Sequence, residues 1–166
     1  MRKSFVFGLC IAALVMALTV QAAEILSGKV VHIADGDTVT ILTGGNRQVK
    51  IRLYGIDCPE KRQAYGNRAR QAIAEMIAGK EVRVRSMGVD RYGRVLGLIT
   101  GPGGEDVNRA MIRQGMAWVY THYCKAPECK RWRIDEVEAQ AAKLGLWADP
   151  HAMPPWDWRR ANRRRR

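Results

Sequence analysis

QVKIRLYGIDCPE, residues 48–60, is the stretch around which the rest of the chain can be organised. Val49, Ile51 and Leu53 alternate with Lys50, Arg52 and Tyr54, the period-2 pattern of a half-buried strand. The alternation sets Arg52 on the face opposite the apolar row. Arg52, Asp57 and Glu60 then fall within nine positions of one another. That is more charge than one strand end needs for packing, and it marks this end as a place to look for chemistry.

Working outward, ILSGKVVHI (25–33) and TVTIL (38–42) are rich in β-branched residues, and TGGN (43–46) reads as the turn into 48–54. Ala69, Ala72, Ile73, Met76 and Ile77 recur at helical spacing and stop before Gly79, a C-terminal cap. EVRVR (81–85) and RVLGLIT (94–100) are two further strands, followed by a GPGG loop. Asp106 caps a helix carrying Val107, Ala110 and Met111 up to Gly115, and Ile134, Val137, Ala141 and Leu144 mark a last helix ending at Gly145. Three strands, a helix, two strands and two helices predict an α+β protein: a five-stranded OB-fold β-barrel with about three α-helices.

The ends of the chain read differently. Arg2 and Lys3 precede an apolar run from Phe5 to Val20 and the small residues QAA, the pattern of a secretory signal peptide over 1–23. The run is too short for a membrane anchor, so the expectation is an exported protein, periplasmic or secreted, with no membrane span after cleavage. Residues 24–150 then form one domain, and 151–166, with PPWDW and the six arginines of RRANRRRR, read as a disordered basic tail. The 166 residues hold 28 Lys and Arg against 16 Asp and Glu, a net charge of +12. Such a chain suits polyanions, nucleic acid first. Much of the excess sits in the tail, so a specific site must be local.

Candidate chemistry gathers at the strand ends. ADGDTV supplies Asp35 and Asp37, and IDCPE supplies Asp57 and Glu60. Two carboxylates from different strands with a backbone carbonyl make a hard oxygen site suited to Ca²⁺ or Mg²⁺. Each residue alone has a plainer reading: Asp-Gly is ordinary turn chemistry, Arg52 and Asp57 can be a surface ion pair, and Glu60 after Pro59 can begin a helix. In an oxidising compartment CKAPEC favours a disulfide between Cys124 and Cys129, leaving Cys58 free. Zinc on His122, Cys124 and Cys129 is the rival, short of a clear fourth ligand.

DGDTV, IRLYGIDCPE, DRYGR and VNRAMIRQG occur in this order at the spacings of the staphylococcal nuclease (thermonuclease) family, which the chain resembles over residues 25–149. The resemblance implies an exported, Ca²⁺-dependent endonuclease acting on DNA and RNA, single strands preferred, leaving 5′-hydroxyl and 3′-phosphate ends. It further implies that Asp37 and Asp57 bind Ca²⁺ with the main-chain carbonyl of Cys58, and that Asp35 stands behind them. By the same resemblance Arg52 and Arg94 hold the phosphate, Glu60 serves as general base, and Arg91, Tyr92 and Tyr120 contact substrate. A monomer with no stable protein partner is expected. One departure stands out: only KRQA separates Glu60 from Tyr65, where the prototype has a longer lysine-rich loop. The alternative from another class is a non-catalytic OB-fold module whose basic tail binds polyanions.

Overall fold

The computed structural model describes residues 24–163. The leader expected over 1–23 and the last three arginines lie outside the described residues. In chain order the elements are β1 (Ile25–Ile33), β2 (Thr38–Thr43), β3 (Arg47–Leu53), β4 (Ile56–Asp57), α1 (Gly66–Ile77), β5 (Glu81–Val89), β6 (Val95–Thr100), α2 (Val107–Arg113), β7 (Trp118–Val119), α3 (Glu128–Ala141) and α4 (Pro155–Arg163). The barrel closes in the order β1-β2-β3-β6-β5. All its pairings are antiparallel except that of β3 with β6, and β4 and β7 make a two-residue ladder outside it. This is the OB-fold α+β class.

Alternation places the core as the sequence predicts. Ile51 and Leu53 are fully buried, while Lys50 of β3 is exposed. In β1 the pairing shifts between Val30 and His32, a bulge that resets the alternation. Val30 and Ile33 therefore both face inward, and Val31 is left outside. Helix α1 adds Ala69, Ala72, Ile73 and Ile77 to the same core. Each large aliphatic side chain so buried contributes roughly 1.5–3 kcal/mol. Asp106 caps α2 by accepting from the Arg109 amide at 3.0 Å. Inside α2, fully buried Asn108 accepts from the Ile99 amide (3.0 Å) and donates to the carbonyls of Tyr54 (3.0 Å) and Gly97 (3.2 Å). It thus ties the helix to β6 and to the end of β3.

Two expectations need correction. The last domain helix exists, but it ends at Ala141, and Ile134, Val137 and Leu144, which mark it in the sequence, are exposed. Its buried face is instead Cys129, Trp132, Asp135 and Ala139. The cause is polar: Asp135 accepts from Arg109 Nε (2.7 Å) and Nη2 (3.0 Å), and that pair fixes which side of α3 meets α2. The tail, expected to be disordered over 151–166, is helical from Pro155 to Arg163. Proline suits the first helical turn, Asp157 lies at the positive end and Arg160 and Arg163 at the negative end of the helix dipole. Pro155 is buried, and the Trp156 ring stacks on Tyr120 at 4.9 Å with an interplanar angle of 11°. These contacts hold α4 against the domain.

Candidate active site

The site is built where β2 begins and β3 ends. Thr38 and Arg52 are cross-strand partners, and the Leu53 amide donates to the Asp37 carbonyl at 2.8 Å, so Asp37 is locked beside Arg52. The DGDT turn is closed by Asp35, whose Oδ1 accepts from the Asp37 amide at 3.1 Å. Past Gly55 the chain turns into β4, which carries Asp57 back to the same end.

Arg52 is the hub of this cluster. Its Nη1 donates to the carbonyls of Leu53 and Ile56, both at 3.0 Å. Its Nη2 lies 2.8 Å from Asp57 Oδ1 and 3.1 Å from Asp37 Oδ2. Two aspartates therefore converge on one nitrogen, and both are buried. Burial works against the Arg52 charge, but Asp37 and Asp57 outweigh it and raise its pKa. Burial also pushes the Asp37 carboxyl up to about 7; Arg52 opposes the shift, while Asp35 and Asp57 add to it. Asp37 Oδ2 accepts from the Cys58 amide at 2.7 Å. The Cys58 thiol is buried, and burial first and the Asp37 charge second push its pKa well up.

Glu60 stands at the rim. Gln63 braces it, with its Oε1 accepting from the Glu60 amide at 3.1 Å and its own amide donating to the Glu60 carbonyl at 2.8 Å. Gly66 is required behind it, because a Cβ there would fall 2.0 Å from the Glu60 carbonyl oxygen. On the other side, DRYGR forms the turn between β5 and β6, with Gly93 at φ +76°. Asp90 holds this turn, accepting from the Tyr92 and Arg94 amides at 2.9 and 3.0 Å and from Arg94 Nε at 2.8 Å. Burial raises the Asp90 pKa, but these donors prevail and hold it below the usual carboxylate range. The Arg94 fork is thus filled by Asp90, and its Nη1 reaches Thr38 Oγ1 at 3.5 Å. Thr38 Oγ1 in turn donates to Asp37 Oδ1 at 3.2 Å, linking Arg94 to the aspartates.

Tyr92 is exposed and lies under the guanidinium groups of Arg91 and Arg94, at 4.9 and 5.5 Å. Tyr120 is farther round the rim, its amide donating to the Gly55 carbonyl at 2.8 Å and its ring covered by Trp156. Cys124 and Cys129 are joined by a disulfide, with Cα atoms 5.7 Å apart. Those sulfurs are consequently not metal ligands.

Sequence reasoning missed one side chain altogether. Arg159, on α4, puts Nη2 2.7 Å from Asp57 Oδ2 and Nη1 2.7 Å from Glu60 Oε1. Desolvation works against its charge, but the hydrogen bonds to Asp57 and Glu60 outweigh it and raise its pKa. Thr38 was visible only as part of DGDT. The one signal for Arg159 was its place in an arginine run, which reads equally well as a solvated tail.

The residues fit a hard cation in kind. Among the described residues, no three His, Cys, Asp or Glu side chains are gathered as a ready-made metal cluster. What is gathered is an all-oxygen anionic face that already draws in two guanidinium groups, with charge on Asp37 disfavoured first by burial and then by repulsion from Asp35 and Asp57. Positive charge on this face relieves that repulsion.

The family profile described as "Staphylococcal nuclease homologue" matches residues 50–149. The chain belongs to the staphylococcal nuclease family. It is 44% identical over 161 residues to a protein named "Micrococcal nuclease" from Shigella flexneri, covering 92% of this chain and 91% of that one. An "Uncharacterized endonuclease" from Escherichia coli is 42% identical over 134 residues, covering 81% and 85%. One of the same name from Haemophilus influenzae is 39% identical over 153 residues, covering 90% and 84%. This chain is a nuclease, with nucleic acids as substrates. No helix of the nuclease among the described residues is long and apolar enough to cross a membrane. The profile stops at residue 149, so α4 and Arg159 of the nuclease lie beyond it.

Proposed function

We propose that this nuclease is a Ca²⁺-dependent endonuclease that hydrolyses phosphodiester bonds of DNA and RNA, single strands preferred, to 5′-hydroxyl and 3′-phosphate ends. It is exported, periplasmic or secreted, and acts as a monomer. The observation that carries the reading is the convergence of Asp37 and Asp57 on Arg52 Nη2, with Glu60 on the adjoining rim.

Asp37 and Asp57, with the Cys58 carbonyl, are the groups that would hold the ion, and Asp35 fixes the turn that presents Asp37. When bound, Ca²⁺ supplies charge that lowers the repulsion between a phosphodiester and its attacking water. Arg52 keeps the two aspartates in place and offers positive charge beside them, and charge fixed in advance costs no reorganisation when the phosphate gains charge. Arg94 is the second phosphate-holding arginine: a phosphate oxygen can take over the fork that Asp90 holds, because the chemistry of the acceptor is the same. Glu60, a third exposed, stands where water reaches it. As a general base accepting the water's proton it contributes on the order of 10²- to 10⁴-fold. Arg91 and Tyr92 offer a cationic and aromatic edge for the strand, and Tyr120, its ring stacked on Trp156, is a further substrate contact. Single strands suit this arrangement because unstacked bases can lie against aromatic rings.

The test is release of acid-soluble fragments from single-stranded DNA and from RNA with Ca²⁺, with Mg²⁺ and with a chelator, followed by end-group analysis. Ca²⁺-dependent release of 3′-phosphate ends is expected. Equal release in chelator, or 5′-phosphate ends, would refute the metal or the polarity.

A further inference from the structure

The α4 helix brings a cation to the carboxylates from outside the matched family domain. Its Arg159 occupies both oxygens of Asp57, at 2.7 and 3.3 Å, and one oxygen of Glu60 at 2.7 Å. Asp57 is 1% exposed, so an ion reaching it needs these same lone pairs. A guanidinium fork and a divalent cation cannot both take them.

The way α4 is held matters equally. Pro155 is its one fully buried residue, Trp156 and Trp158 are partly buried, Trp156 stacks on Tyr120, and Gln63 Nε2 donates to the Met153 carbonyl at 2.6 Å just before it. A cavity of about 220 Å³, lined by Gln63, Tyr65, Trp118, His151, Met153 and Trp158, lies beneath this segment. An element with one fully buried residue opens at a lower free-energy cost than the barrel core. Arg160 sits one position on, mostly exposed, with Asp157 of its own helix as its one ion-pair partner among the described residues.

We propose that α4 is a strap over the active site whose Arg159 competes with the divalent cation for Asp57 and Glu60, so that the strap sets the metal affinity of the nuclease. The inference rests on the metal reading given above. A binding-competent site populated only a tenth of the time weakens apparent affinity about tenfold, and removing the competitor restores it.

The experiment is calorimetric titration of Ca²⁺ into the full chain and into Arg159→Ala and Arg160→Ala, each checked for folding by circular dichroism. Kd should fall about tenfold in Arg159→Ala and change less than twofold in Arg160→Ala, which removes the same charge from the same helix without touching the site. Amide exchange supplies a readout independent of any variant: Ca²⁺ should speed exchange across residues 155–163 of the unsubstituted chain severalfold. Unchanged Kd in Arg159→Ala, equal tightening in both variants, or unaltered exchange in α4 overturns the strap while leaving the metal reading in place. Absence of Ca²⁺ binding to every chain overturns the metal reading and the strap with it.

Discussion

Arg52→Ala looks from sequence like a clean active-site substitution, one that removes activity and spares the fold. The structure says otherwise. Arg52 is a shared partner of Asp37 and Asp57, which are 6% and 1% exposed, and it also closes the carbonyls of Leu53 and Ile56. Removing one partner of a buried pair costs roughly 3–5 kcal/mol. Asp57 keeps Arg159, so the lower end, about 3 kcal/mol, is the expected loss. For a domain of this size that corresponds to a fall in Tm on the order of 10 °C. Arg52→Lys keeps the charge but cannot reach four acceptors with one ammonium, so it should fall between. Thermal and urea unfolding in chelator measure the loss, and kcat on single-stranded DNA at a temperature where each variant is folded should drop on the order of 10²- to 10³-fold. An Arg52→Ala protein within about 0.5 kcal/mol of the unsubstituted chain would refute the idea that this arginine organises the carboxylates.

Three further outcomes follow from neighbouring contacts. Glu60→Gln should retain the fold and lower kcat on the order of 10²- to 10⁴-fold; a variant at full rate removes Glu60 as base. Asn108→Ala should cost about 3 kcal/mol in urea unfolding, because the Ile99 amide and the Tyr54 and Gly97 carbonyls lose a partner in the core, and a loss under 1 kcal/mol would contradict that accounting. Hydrogen bonds from Arg109 hold the Asp135 carboxyl below its ordinary value, against the opposing effect of burial. Its stabilisation is therefore present above the unfolded carboxylate pKa and lost as pH falls through the folded one. Asp135→Asn should cost about 2 kcal/mol at pH 7, and the gap to the unsubstituted chain should narrow below about pH 4; a gap that stays constant to pH 3 speaks against the ion pair.

The barrel was legible because its strands are half-buried, and burial writes itself into alternation: Val49, Ile51 and Leu53 point to the core as the pattern requires. The Asp106 cap was legible for a similar local reason. The site segments could be read because turn, carboxylate and arginine sit close together in the chain. What escaped involves partners far apart in sequence. Asn108 reads as one polar residue in VNRAMIRQG, and only the fold shows that it serves three backbone groups. The face of α3 was misassigned because Ile134 and Val137 point outward while Asp135, a residue ordinarily exposed, is pinned inward by Arg109 beside Trp132. Arg159 reaches carboxylates about a hundred positions away, and nothing in an arginine run announces which member will be held. Asp90 in the fork of Arg94, by contrast, was within reach of the sequence: three residues, one of them a glycine, separate a turn acid from its arginine.

The central claim is that Asp37 and Asp57 form the metal-holding face of the nuclease. Its most direct test is Ca²⁺ titration of the unsubstituted chain and of Asp57→Asn, with release of acid-soluble fragments measured on the same samples. The account predicts saturable binding in the first, loss of both binding and release in the second, and retained folding in each. Undiminished Ca²⁺ binding and cleavage by a folded Asp57→Asn would contradict it.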